Sequence, residues 1–78
     1  MLEMKIGHLI REGKIVACSH SQKLKLKIHP DYFEQIVTRP KDLPHGAKNV
    51  VFVGEMTDEE RVLWRAYLEA NPTIWTTS

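Results

Sequence analysis

Apolar positions along the chain change period several times, and each change marks an element. Leu2, Ile6, Leu9 and Ile10 recur at helical spacing, with Gly13 where a left-handed C-cap is wanted. The spacing predicts a first helix over Met4–Glu12. Its rival is a strand on which Leu2, Met4 and Ile6 alternate, ahead of a single helical turn. Lys14–Cys18 is rich in β-branched residues and reads as a strand. Ser19–Gln22 is polar and suits a turn. Lys23–Ile28 then alternates strictly, lysine against Leu24, Leu26 and Ile28. Period two predicts a strand with one apolar face, paired with Lys14–Cys18 as a hairpin.

Pro30 suits the first position of a helix, and Tyr32, Phe33, Ile36 and Val37 follow at one-turn spacing, predicting a helix over Pro30–Thr38 closed by Pro40. Arg39–Lys48 holds Pro40, Pro44 and Gly46 without apolar period and reads as a loop. Val50–Val53 is an unbroken apolar run, the mark of a strand buried on both faces in mid-sheet. Thr57 with Glu60 three residues later forms a capping box, and Asp58 and Glu59 complement the helix dipole. Leu63, Trp64, Tyr67, Leu68 and Ala70 follow on that helix until Asn71–Pro72 ends it. Residues 73–78 make a tail carrying Ile74 and Trp75, with three fates open to it: packing back, pairing on a sheet edge, or fraying.

Together these elements predict a single α+β domain over residues 1–78. Its expected sheet is three-stranded and mostly antiparallel, with helices on one face, in the order α-β-β-α-β-α. Seventy-eight residues leave room for one modest core and little for a walled active site. Apolar types at 42% and charged types at 27% match ordinary globular usage. Cys18 is the one cysteine, so no disulfide framework exists and a reduced, cytoplasmic setting is expected. No apolar run is long enough to span a bilayer, and no membrane partner is expected.

Net charge is +1, but its distribution is uneven. Residues 1–50 carry nine Lys/Arg against five Asp/Glu, and residues 51–78 two against five. Lys23, Lys25 and Lys27, with Arg39, Lys41 and Lys48, are the candidate phosphate contacts of a nucleic-acid surface. No aromatic lies between residues 14 and 31 to stack on bases, and lysines along a strand also keep an edge soluble.

Cys18 and His20 are too few to hold a metal, and His8, His29 and His45 lie scattered. No thiol–base motif, opposed carboxylate pair or glycine-rich phosphate loop is present, so no catalytic residue, metal or cofactor is assigned. Trp64, Tyr67 and Trp75 read first as core material, yet they are more aromatic surface than a small core readily covers, and large amphipathic rings anchor interfaces.

Leu26–Ile36 (Leu-Lys-Ile-His-Pro-Asp-Tyr-Phe-Glu-Gln-Ile) resembles the opening strand and helix of some ASCH-type, PUA-like domains, a family associated with RNA. The likeness covers eleven of 78 residues, and the Gly-Lys and Phe-Glu-x-Arg segment that follows in the family is replaced by Thr38-Arg39-Pro40-Lys41. The family is not assigned.

The residues therefore favour a small non-enzymatic binding or regulatory protein, of the kind found among phage and mobile-element accessory factors. Its expected partner is another protein or a second copy of itself, held at Trp64, Tyr67 and Trp75. A nucleic-acid module using the six cations is the alternative.

Overall fold

The structure, a computed structural model, describes residues 2–77, with the side chains from residue 4 onward. Helix α1 (Leu2–Arg11) leads through Gly13, at φ 81°, into strand β1 (Ile15–Ala17). A short helix α2 (His20–Lys25) and a 3-10 segment (Pro30–Gln35) follow, and the chain then enters strand β2 (Ile36–Val37). A second 3-10 turn (Pro40–Asp42) precedes strand β3 (Asn49–Phe52). Helix α3 (Asp58–Ala70) and strand β4 (Trp75–Thr77) complete the order.

The four strands form one sheet in the order β2-β1-β3-β4, and every pairing is parallel. This overturns the expected three-stranded, mostly antiparallel sheet, although the mixture of helices and strands stands. The hairpin fails because Lys23–Ile28 is no strand. Ser19 accepts a hydrogen bond from the Gln22 amide and caps a helix there. Of the six residues Lys23–Ile28, only Ile28 is β-branched; leucine and lysine are strong helix formers. Leu24 is accordingly exposed and Leu26 buried, which no single strand face would produce. With α2 and the 3-10 segment in between, the chain has the length that a parallel crossover needs and returns as β2 beside β1.

The helix expected over Pro30–Thr38 is also cut short. His29 accepts from the Asp31 amide and starts the 3-10 turn at Pro30, but Ile36-Val37-Thr38 is a β-branched run and takes up extended backbone. The strand–helix unit that the ASCH-like stretch implies is therefore not formed.

Side chains alternate across the sheet and build two cores. Val16, Cys18, Ile36, Val51 and Val53 meet Ile6 and Ile10 of α1, with Leu26 closing one side. Ala17, Val37 and Val50 meet Trp64 of α3 on the opposite face. Helices thus cover both faces rather than the one expected. β3 lies between β1 and β4 and contributes to both cores, as its unbroken apolar run predicts. The capping box of α3 forms as read: Thr57 Oγ1 accepts from the Glu60 amide, and Glu60 Oε1 accepts from the Thr57 amide at 2.8 Å.

Candidate functional site

The aromatic residues singled out by the sequence part company. Trp64 is only 3% exposed and sits edge-on to Phe52, with ring centroids 5.1 Å apart, and to Tyr67 at 6.5 Å. It is core, although its indole N–H has no partner among the described residues. Tyr67 is half-buried at the flank of α3, where its carbonyl accepts from Asn71 Nδ2. Trp75 is 76% exposed and lies on the other side of the sheet. It pairs with Asn49, which shares a face with Val51 and hence with the α1 core, whereas Trp64 packs on Val50. Trp64 and Tyr67 come together; Trp75 stands apart.

The cations do not assemble either. Lys23 Nζ donates to the Ile36 carbonyl at 2.7 Å and is half-buried. Lys25, at the end of α2, and Lys27, just beyond it, are exposed. Arg39 follows β2 at the C-terminal edge of the sheet, while Lys48 precedes β3 at the opposite edge. Lys41 is exposed on the second 3-10 turn. Five of the six cations, Lys25, Lys27, Arg39, Lys41 and Lys48, therefore face solvent at separate places, and Lys23 is withdrawn from the set.

In open parallel sheets, ligands bind beyond the C-terminal strand ends where the chain departs in opposite directions, here between β1 and β3. That crevice is filled by the chain itself. Glu60 Oε2 accepts from the His20 amide at 3.0 Å while its other oxygen holds the Thr57 amide, so one carboxylate ties the start of α2 to the start of α3. Burial pushes the Glu60 carboxyl up, but the hydrogen bonds from Thr57 and His20 together outweigh it and hold it below the usual range. Cys18 is fully buried beneath, and that burial pushes its thiol up to about 11, the opposite of an activated nucleophile. Gly54, at φ 71°, turns the chain away from β3 beside Gln22. Among the described residues no group of three or more His, Cys, Asp or Glu is placed to hold a metal ion.

A groove of about 580 Å³ lies between the β3–α3 loop and the flank of α3, floored by Phe52, Met56, Trp64 and Leu68, with Arg61 and Arg65 beside it. Glu55 and Glu69 also line it, so it carries no charge preference.

The more distinctive feature is the contrast between the two edges of the sheet. On β2, Val37 points its carbonyl to the amide of Cys18, just beyond β1, so Ile36 points its peptide groups outward. Both are occupied: the Ile36 amide donates to the Phe33 carbonyl, and its carbonyl accepts from Lys23. On β4, the Trp75 amide donates inward to the Lys48 carbonyl, so Thr76 points both its N–H and its C=O outward. No hydrogen bond to either group occurs among the described residues. β4 is Trp-Thr-Thr, all three residues exposed, without the charge, proline or bulge that commonly blunts an edge. The sequence could offer only the tail's three alternatives; which strand receives it, and in which register, depends on contacts remote in the chain.

Comparison with protein families, curated proteins and solved structures returns no match.

Proposed function

We propose that the chain is a small non-enzymatic docking protein that engages another protein chain by strand addition at β4, with Trp75 as the anchoring side chain. The observation that carries this reading is the open edge: Thr76 presents a donor and an acceptor that are unpaired among the described residues, next to a tryptophan that is 76% exposed. Strand addition uses backbone bonds for affinity and alternate side chains for selectivity, and a protruding tryptophan is a favoured anchor. The self-satisfied crevice at the β1 and β3 ends, with its buried neutral thiol, supports a binding role over a catalytic one.

The test is capture of partners from host cells with nuclease present, comparing wild type with Trp75→Ala and Thr76→Pro. Thr76→Pro removes an outward N–H and leaves the β3–β4 bonds intact. Loss of capture in both folded variants is expected. Capture that survives both, or that depends on nucleic acid, would overturn the reading in favour of the cation-rich surfaces.

A further inference from the structure

Resting on the strand-addition reading, the geometry points to a second copy of this chain as the occupant of the β4 edge, joined about a two-fold axis through Thr76. Two symmetry-related strands at an edge run antiparallel. In such a pair, residues directly opposite alternate between those that exchange both N–H···O=C bonds and those that exchange none. Thr76 is the residue of β4 whose amide and carbonyl both face outward, so Thr76 opposite Thr76 satisfies all four groups at once. A register slipped by one residue, with Thr76 opposite Trp75 or Thr77, would set its outward groups against inward-pointing ones and form neither bond.

The side chains suit the same axis. Trp75 then stands opposite Thr77 of the second copy, in the closer, non-hydrogen-bonded type of pair. The two tryptophans fall on one face as diagonal neighbours about 7–8 Å apart, within reach of each other's rings. Trp75 and Thr77 are both exposed on that face, so nothing already covers the rings there. β4 carries no charge, so nothing on the strand repels its copy. The β2 edge offers no competing site, because Lys23 and the Phe33 carbonyl already hold its outward groups. The result is a continuous eight-stranded sheet, parallel within each copy and antiparallel at the junction. Three residues per copy make a small contact beside the ~1,200–2,000 Å² of a standard stable interface, so the dimer is concentration-dependent.

Sedimentation equilibrium from micromolar to millimolar protein tests this. Wild type is expected to dimerise reversibly, and Thr76→Pro to weaken the association at least tenfold with an unchanged circular dichroism spectrum. Thr76→Lys serves the same purpose should the proline variant fail to fold. Thr76→Cys places two thiols with Cα atoms about 5.5 Å apart, within disulfide range, so mild oxidation is expected to trap a covalent dimer. A wild-type monomer at every concentration, or a dimer that both edge variants leave intact, would overturn the inference. The strand-addition reading is judged separately: a monomer whose capture of another protein is still abolished by Thr76→Pro keeps the docking edge and loses only the second copy.

Discussion

The Lys23 ammonium donates to the carbonyl oxygen of Ile36 at 2.7 Å, closing the outer edge of β2. One of the three alternating lysines therefore works inside the fold. Replacing it with methionine keeps the stem but leaves the carbonyl without its donor. Lys23→Met is expected to cost about 1–2 kcal/mol and to promote aggregation at high concentration, because it reopens an edge. Lys25→Met should change the denaturation midpoint hardly at all, by less than about 0.5 kcal/mol. Equal effects at the two positions in urea unfolding would show that the bond contributes nothing.

Glu60 joins the caps of two helices. Thr57→Ala removes half of the capping box and is expected to cost about 1 kcal/mol. Because the Glu60 carboxyl is held below its ordinary value when folded, its contribution is present above the unfolded pKa near 4.5 and is lost as pH falls. Glu60→Gln should consequently flatten the acid limb of a stability-against-pH curve, measured by urea midpoints between neutral and acid pH. An unchanged limb would sink this assignment.

Cys18 predicts the opposite slope. Its thiol stays protonated in the fold up to about 11, against 9.0 in the unfolded chain. Between those values the unfolded state has fewer bound protons, so stability falls as pH rises, by up to roughly 2–3 kcal/mol. Cys18→Ala should remove that alkaline loss while costing some packing at every pH. Thiol reagents should label wild type only as fast as it opens.

The two tryptophans are expected to report separately. In Trp75→Phe, emission from Trp64 should be blue-shifted and poorly quenched by acrylamide. In Trp64→Phe, emission from Trp75 should be red and readily quenched at low protein concentration. Trp64→Ala should cost about 3–5 kcal/mol, enough to threaten a domain this small.

Legibility in the sequence followed the range of the interactions. The capping box of α3 and the double-faced burial of β3 are written within a few adjacent residues, and both formed as read. Lys23–Ile28 misled because alternation over six residues cannot tell a strand from a short helix that buries only Leu26. Once that segment became a crossover, β1 had to find partners elsewhere, and β2 emerged from residues that also suit a helix. The edge at Thr76 was illegible for a related reason. Trp-Thr-Thr is an ordinary extended stretch until its register against Asn49–Val51 decides which peptide groups face out.

The sheet without a hairpin also sets the order of events on the way to the native state. No two neighbouring strands in it can zip together from a tight turn, since β1 meets β2 only across α2, and β3 meets β4 only across α3. Each pairing requires closure of a long loop before any contact rewards it. Refolding is therefore expected to be slower than that of a helical protein of equal length, with a transition state that demands β1 and β3 together.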